Sequence, residues 1–272
     1  MLIYPSLPVA FSHIGQRTIN QDTLYPAIDT ANEQTQLFIV CDGMGGVDKG
    51  EVASQLLCEA IVAYASSMGN PVFDGPHLKA ALDQAYNAYH EYLRQHPLVS
   101  RMGSTLTLLQ LHKHGATVAH IGDSRVYQLR EGKIIFQTQD HKQVNDMVEA
   151  GVITATQALT HPWRNRLSRA VIASSDYEEA TKPTPDITVL TDIQAGDYFF
   201  LCTDGVLEQL DDYALETLLA QDIPDQAKMQ SLLALCADRT KDNYSGYLIG
   251  ISDVMIQVKS ILAPTISLKD AC

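Results

Sequence analysis

Four aspartates in this chain stand at the ends of strand-like apolar runs: Asp42, Asp123, Asp204 and Asp242. A single Asp-Gly pair after a strand is usually a turn, because aspartate caps its own backbone and glycine accepts positive φ. The repetition favours a second interpretation, since carboxylates grouped at strand ends supply the hard oxygen ligands that Mg²⁺ and Mn²⁺ prefer. The sequence alone does not show that the four converge. If they do, their mutual repulsion demands cations.

Apolar runs and helical spacing identify the elements that would position these aspartates. Continuous apolar runs of strand length occur at 37–41 and 198–202, and each leads into an Asp-Gly pair. Apolar residues at helical spacing predict one helix over 51–68 and a second over 76–93, which begins with a proline in its first turn.

The middle of the chain has the pattern of a meander, in which glycine-containing turns separate short strands. The predicted strands are 105–111, 116–121, 125–129 and 134–138. After a polar, irregular segment at 141–180 with two short helices, we expect strands at 187–190, 247–251 and 255–258 and helices at 211–220 and 224–239. This order predicts antiparallel sheets with helices stacked outside them, in one domain.

Composition excludes several classes of protein. The 272 residues include 19 basic and 32 acidic side chains, and 46% are apolar, which is enough for a substantial core. The net charge of −13 disfavours a nucleic-acid binder. No apolar run approaches the roughly 20 residues that cross a bilayer, and residues 1–11 contain no lysine or arginine, so we expect neither a membrane protein nor a signal peptide. Five cysteines without a CxxC pair predict reduced thiols and a cytoplasmic location.

Eight short motifs occur in a fixed order between Gly15 and Ser245. They are GQRTINQD at 15–22, DGMGG at 42–46, GSTL at 103–106, IGDSR at 121–125, QDH at 139–141, HPWRNRLSRA at 161–170, CTDGV at 202–206 and DNYS at 242–245. No single motif is specific, but the ordered set resembles the metal-dependent PP2C (PPM) family of serine/threonine protein phosphatases in its compact bacterial form.

The resemblance implies an α+β fold, namely a four-layer α/β/β/α sandwich in which helix pairs flank two central antiparallel sheets. It implies a single PP2C-type phosphatase domain at 1–260, followed by a C-terminal tail at 261–272. Within the domain, the segment at 141–180 corresponds to a flap that borders the active site.

The resemblance also implies a site for two core Mn²⁺ or Mg²⁺ ions. Asp42 matches the carboxylate that bridges the two ions, and the backbone carbonyl of Gly43 matches a ligand of one of them. Asp204 and Asp242 match the carboxylates that complete the shell of the second ion.

Three roles around this core are implied in the same way. Asp123 matches a ligand, shared with Asp204, of a third and weaker ion in bacterial relatives. Asp22 matches an acidic residue that holds metal-bound water. Arg17 matches the phosphate-binding arginine, whose planar fork can hold two phosphoryl oxygens at once.

The implied function is a protein serine/threonine phosphatase that hydrolyses phosphoserine and phosphothreonine in proteins through a metal-activated bridging water. Arg17, Asp42 and Asp204 would be its catalytic residues, and no cysteine nucleophile is needed. The expected partners are phosphorylated proteins, either substrates of serine/threonine kinases or the kinase itself, with no nucleic acid and no membrane. We expect a monomer.

Two alternatives stay open. The chain could be a phosphoesterase for small phosphorylated metabolites, or a pseudophosphatase that binds phosphoproteins without turnover. The joint presence of Arg17, Asp42, Asp204 and Asp242 disfavours the second alternative, because an inactive site usually loses at least one such residue.

Further residues near these motifs could also take part in the chemistry. Met44 takes the position where many eukaryotic relatives carry a histidine proposed as general acid, so no general acid is assigned. His13 could transfer protons, but an ordinary strand histidine is the favoured interpretation. The flap carries four basic residues that could attract phosphorylated segments: Lys142, Arg164, Arg166 and Arg169. For Lys142 and Arg166 we expect instead solvated charges on a loop.

Overall fold

Thirteen strands and seven helices occur in the residues that the computed structural model describes, which are 1–44, 49–175 and 182–255. The strands are β1 (Leu2–Pro5), β2 (Val9–His13), β3 (Asp22–Tyr25), β4 (Leu37–Asp42), β5 (Arg101–Ser104), β6 (Leu106–His112), β7 (Gly115–Ile121), β8 (Arg125–Arg130), β9 (Lys133–Gln137), β10 (Val171–Ser174), β11 (Asp186–Leu190), β12 (Tyr198–Cys202) and β13 (Tyr244–Met255). The helices are α1 (Gly50–Ser67), α2 (Gly75–Gln95), α3 (Gln143–Glu149), α4 (Ala155–Thr160), α5 (Asp204–Leu207), α6 (Asp212–Leu219) and α7 (Asp225–Cys236). Over these ranges, no helix has the length and apolar character needed to cross a membrane.

The first sheet has the strand order β11–β7–β6–β4–β3, and every neighbouring pair is antiparallel. Along β4 the side chains alternate between two apolar surroundings. Ile39 and Cys41 join the core formed with α1 and α2, whereas Phe38 and Val40 join the core shared with the second sheet. A strand that is buried on both faces is apolar throughout, which explains the uninterrupted run at 37–41.

The second sheet has the order β1–β13–β12–β8–β9, and β2 also pairs with β13. Its outer face is covered by α6 and α7. Phe200 of β12 packs there with Leu215 of α6 and Leu232 of α7. The apolar faces of these two helices are therefore buried against the sheet beneath them.

The two sheets meet in a central apolar core. Phe199, Leu201 and Tyr247 of the second sheet are buried against Phe38 and Val40 of the first. Burial of each such side chain stabilises the fold by about 1.5–3 kcal/mol. The layers are thus helix, sheet, sheet and helix, and the predicted α+β four-layer sandwich is confirmed.

One edge of this sandwich gathers the strand ends that carry the aspartates. β3 begins and β4 ends there, so that Asp22 lies directly opposite Asp42 in the register. In the second sheet, Cys202 pairs with both Arg125 and Gly246, which aligns the end of β12 with the starts of β8 and β13. The short turn from β7 to β8 joins the two sheets at this same edge.

Two element boundaries differ from the sequence-based expectation. The helix predicted to reach residue 239 ends at Cys236, because Ala237 already has a non-helical ψ of 133°. Asp238 then adopts a left-handed φ of 58°, which aspartate tolerates better than most residues. The two strands predicted at 247–251 and 255–258 were wrong as separate elements. β13 continues through the polar pair between them, with Ser252 at a bulge and Asp253 opposite Tyr4. Residues 256–258 lie outside the described residues.

Four short strands were not predicted, namely β1, β3, β5 and β10. β5 and β10 form a two-stranded sheet of their own beside the flap. The flap contains the two expected short helices, α3 and α4, and α4 begins with a capping box formed by Thr154 and Gln157. Residues 176–180 of the predicted flap and the whole of the predicted tail, 261–272, lie outside the described residues.

Candidate metal centre

The loop after β4 fixes the backbone of Asp42 and Gly43. The amide of Asp42 donates to Oγ1 of Thr105 at 3.0 Å, and the amide of Gly43 donates to the carbonyl of Gln21 at 3.0 Å. A Cβ atom on Gly43 would lie 2.1 Å from the carbonyl oxygen of Gly50, at the start of α1. Glycine is therefore required at this position by the close approach of two backbone segments.

Asp204 and Asp242 are brought together in the same way. Asp204 opens the short helix α5 directly after β12, and Gly205 follows it. A Cβ atom on Gly205 would lie 2.0 Å from the carbonyl oxygen of Asn243. The Asp-Gly pair at 204–205 is thus a packing requirement as well as a turn, and it holds Asp204 beside Asp242.

Asn243 is a positioning residue for which the sequence analysis gave no role. Its Nδ2 donates to the carbonyls of Ile14 and Ile19 at 2.8 and 3.0 Å, and its Oδ1 accepts from the amide of Gln21 at 2.9 Å. These three bonds attach the loop that carries Arg17 to the start of β13. Its place in the DNYS motif was the available signal.

The carboxylates at this edge repel one another. Burial raises the pKa of Asp42 well above its usual range, and the nearby charges of Asp22 and Asp204 add to the effect. Burial likewise raises the pKa of Asp22 to about 7, against hydrogen bonds from Ser245 and Thr203 that oppose it. The pKa of Asp204 also rises to about 7, through burial and the charge of Asp123.

Among the residues that the structure describes, Oδ1 of Asp22 and Oδ1 of Asp204 find no hydrogen-bond partner, and both oxygens are buried. Buried polar atoms are nearly always satisfied, so an unpartnered carboxylate oxygen calls for a cation or a water molecule. Hard oxygen donors concentrated in a region of uncompensated negative charge fit Mg²⁺ or Mn²⁺. The residues present are therefore suited to divalent ions.

Arg17 lies at the border of this group and holds Asp242 with both arms of its guanidinium. Nε donates to Oδ1 at 3.0 Å and Nη2 donates to Oδ2 at 2.7 Å. The side chain of Arg17 is 51% exposed, so it remains accessible from solvent. Hydrogen bonds and the charge of Asp242 raise the pKa of Arg17, and it is a permanent cation.

Asp123, in the turn between β7 and β8, has a different environment. Nζ of Lys142 lies 3.2 Å from its Oδ2 and 3.0 Å from Oδ2 of Asp140. Arg125 in turn donates to both oxygens of Asp140, from Nε at 2.6 Å and from Nη2 at 3.0 Å. The expectation that Lys142 is a solvated loop charge is wrong, because its side chain is only 19% exposed and lies between two carboxylates.

A cavity of about 590 Å³ opens between this edge and the flap. Its lining includes four carboxylates, from Asp42, Asp123, Asp204 and Asp242, and three arginines, from Arg101, Arg166 and Arg169. Arg101 of β5 was not predicted, because β5 itself was not. A larger groove of about 950 Å³ lies near Tyr25 and Glu59, but none of these carboxylates lines it.

Two other basic flap residues, Arg166 and Arg169, contact neighbouring side chains. Arg166 lies over the ring of Trp163 at 5.3 Å, and Nη1 of Arg169 donates to Asp186 at 2.6 Å. His13 stacks on Tyr244 with ring centroids 5.0 Å apart, which agrees with the favoured interpretation of an ordinary strand histidine. Met44 lines the cavity beside the carboxylates.

Comparison with known sequences assigns most of the chain to one family. Residues 11–238 match the family described as protein phosphatase 2C. The serine/threonine protein phosphatase PstP of Mycobacterium tuberculosis is 32% identical over 224 residues, which cover 80% of this chain and 40% of that protein. The chain thus spans less than half the length of this relative. Protein phosphatase PhpP of Streptococcus pneumoniae is 28% identical over 222 residues, covering 81% of this chain and 87% of PhpP.

Solved structures share the fold. The crystal structure of M. tuberculosis PstP/Ppp superimposes with a TM-score of 0.72 at 30% identity, covering 92% of this chain and 100% of that one. The catalytic domain of PstP in complex with two manganese ions superimposes with a TM-score of 0.71 at the same identity and coverage. On the extent of the family match and the agreement of the fold, this chain belongs to the protein phosphatase 2C family.

Proposed function

We propose that this chain is a metal-dependent protein serine/threonine phosphatase that hydrolyses phosphoserine and phosphothreonine in proteins. The observation that carries the proposal is the pair of buried carboxylate oxygens on Asp22 and Asp204 that have no partner within the described part of the chain. They belong to a group whose pKa values are raised by burial and mutual repulsion. Such a group needs divalent cations. The names of the relatives PstP and PhpP support the same activity.

Asp42, Asp204, Asp242 and the carbonyl of Gly43 would hold two Mn²⁺ or Mg²⁺ ions. When bound, such ions lower the pKa of a water molecule and neutralise charge on a phosphoryl group. Asp22 accepts a hydrogen bond from Oγ1 of Thr203 at 3.1 Å on one oxygen, which leaves the other to orient water in the site.

Arg17 would bind the phosphoryl group. Its fork already matches a pair of oxygens, since it grips both oxygens of Asp242. A phosphoryl group carries the same paired-oxygen geometry with more charge, and the exposed position of Arg17 allows the exchange.

A protein substrate is favoured over a small metabolite by the shape and charge of the cavity. It is an open cleft lined by flap residues together with the metal-binding carboxylates, and Arg101 and Arg166 also line it. Basic residues in the same cleft as the phosphoryl position would contact flanking parts of a phosphorylated segment, which a small phosphomonoester lacks.

We further propose that the domain at 1–260 acts as a monomer in the cytoplasm on substrates of serine/threonine kinases or on the kinase itself. Cys41, Cys58, Cys202 and Cys236 are buried free thiols, which is typical of proteins in a reducing compartment. The sheets share one continuous core, which supports a single domain.

The function is tested by dephosphorylation of a phosphothreonine peptide with saturating Mn²⁺ and again with EDTA. We expect turnover only with the metal and no loss of turnover after alkylation of accessible thiols. Full activity in EDTA would contradict the proposal. A kcat/KM for free phosphoserine equal to that for the peptide would favour the metabolite alternative.

A further inference from the structure

Lys142 lies at the start of the flap, beside the edge of the sandwich that carries the aspartates, here called the acidic edge. Its ammonium is directed toward two aspartates. The nitrogen contacts Asp123 at 3.2 Å and Asp140 at 3.0 Å, and the side chains of these aspartates are 7% and 6% exposed. A lysine in this setting has lost most of its hydration. It is held there by the two carboxylates.

The charges around Lys142 balance one another. Asp140 receives two hydrogen bonds from the guanidinium of Arg125, so Arg125 alone already pairs with it. The charge of Lys142 is therefore available to Asp123. Two cations and two buried carboxylates are in contact here, with the exposed Asp212 3.8 Å from Arg125. A buried ion pair from which one partner is removed leaves an uncompensated charge.

Asp123 lines the same cavity as Asp42 and Asp204. A third ion at this position would use the carboxylate of Asp123 as a ligand. The Asp123 carboxylate already has the ammonium of Lys142 at 3.2 Å, and this cation belongs to the chain itself.

We propose that Lys142 is a tethered cation that takes the place of a third divalent ion at Asp123, so that this chain binds two exchangeable ions. The inference rests on the proposed function only for the binding of divalent ions by the core carboxylates, and it does not require turnover. It replaces the expectation that Asp123 is the ligand of a third metal.

The tether also links the acidic edge to the flap. Lys142 forms an antiparallel bridge with Leu167, and the amide of Gln143 donates to the carbonyl of Arg166 at 2.9 Å. Both Leu167 and Arg166 line the cavity. The base of the flap is thus fixed to Asp123 by an ion pair that does not depend on the metal concentration.

The test is the number of Mn²⁺ ions bound per full-length chain, measured by equilibrium dialysis and by titration calorimetry. We expect two ions for the wild type and three for Lys142→Met, which keeps the length of the side chain and removes its charge. The double variant Lys142→Met/Asp123→Asn should return to two. Lys133→Met is the matched control, since Lys133 pairs with Glu216 at 2.8 Å far from the cavity, and it should bind two.

Three ions in the wild type with only two in Asp123→Asn would overturn the inference, and so would two ions in Lys142→Met or fewer than two in the wild type. The comparison of the wild type with Asp123→Asn decides the question even if Lys142→Met does not fold. Two bound ions without hydrolysis would contradict the phosphatase proposal and leave this inference standing, whereas three ions with hydrolysis would do the reverse.

Discussion

The acidic edge of the sandwich has two regions that meet the same electrostatic problem in different ways. Around Asp22, Asp42 and Asp204, no basic side chain within the described ranges forms an ion pair, and burial with mutual repulsion raises each pKa. Around Asp140, burial acts in the same direction, but hydrogen bonds from Arg125 and the charge of Lys142 outweigh it and lower the pKa.

The difference separates two uses of buried carboxylates. In the second region the chain supplies its own cations, so that the ionised Asp140 contributes to stability. In the first region the compensating cations are left to come from solution. Substitutions around Asp22, Asp42 and Asp204, the unpaired region, should therefore alter metal binding and turnover. Substitutions around Asp140 and its partners, the paired region, should alter stability.

The largest effect is expected for Asp204→Ala in the unpaired region. The change removes a carboxylate proposed to hold a core ion, and with it the stabilisation of the transition state by that ion. A loss of several kcal/mol of transition-state stabilisation corresponds to a fall in kcat of about 10³-fold. Steady-state kinetics on a phosphothreonine peptide at saturating Mn²⁺ measures it. Asp222→Ala, an exposed aspartate between α6 and α7, is the control and should retain wild-type kinetics. Equal losses in both variants would contradict the assignment.

The next largest effect is expected for Asp140→Asn in the paired region. It leaves Arg125 and Lys142 short of one negative charge in a buried cluster, and should lower the free energy of unfolding by about 3 kcal/mol. Urea unfolding measures the loss, while the number of bound Mn²⁺ ions should stay at two. Asp192→Asn is the control, because Asp192 pairs with Arg130 but is 72% exposed, and its loss should be much smaller. A stable Asp140→Asn variant that fails to bind Mn²⁺ would erase the distinction between the regions.

Arg17→Ala is expected to act on substrate rather than on folding. Loss of a bidentate, charge-assisted contact of roughly 1.5–3 kcal/mol should lower kcat/KM by about 10- to 100-fold. The exposed pair with Asp242 should add little to stability, so the melting temperature should barely change. Arg17→Lys should recover only part of the activity, because it keeps the charge and loses the fork. A destabilised variant with wild-type kcat/KM would remove Arg17 from the site.

The stability of the metal-free protein should also depend on pH. Asp22 and Asp204 have a folded pKa of about 7 against 3.8 when unfolded, so between pH 4 and 7 the folded state holds more protons. Stability in EDTA should therefore fall as the pH rises through this window, by up to about 1.4 kcal/mol per pH unit for each group.

His120 of β7 and His141 at the start of the flap change the stability in the opposite direction as the pH rises. A variant separates the two effects. Burial lowers the pKa of His120 and His141, so their contribution to stability rises with pH up to about 6.5. Asp204→Asn leaves both histidines in place and should flatten the fall seen in EDTA. An identical slope in Asp204→Asn and the wild type would contradict the unpaired state of Asp204.

The sequence predicted the unpaired region better than the paired one. Asp42 and Asp204 each follow a continuous apolar run and precede a glycine, and these local signals reflect burial on both faces of β4 and β12 and the tight turns that follow. The elements that position the site could therefore be predicted from local pattern and resemblance.

The partners of the ion pairs could not be predicted in this way. The pairing of Lys142 with Asp123 depends on how the flap base returns to the turn after β7, and Arg17 meets Asp242 across 225 positions of the chain. No local pattern encodes such contacts. The lysine directly after the QDH motif was the one available signal, and a charge in a polar segment is ordinarily solvated.

The most direct test of the two-region account is the anomalous diffraction from a crystal of the full chain grown with Mn²⁺. We expect two manganese peaks at Asp42, Asp204 and Asp242, with the ammonium of Lys142 still in contact with Asp123 and Asp140 and no peak at Asp123. A manganese peak at Asp123 with Lys142 displaced, or no peak at Asp42, would contradict the account.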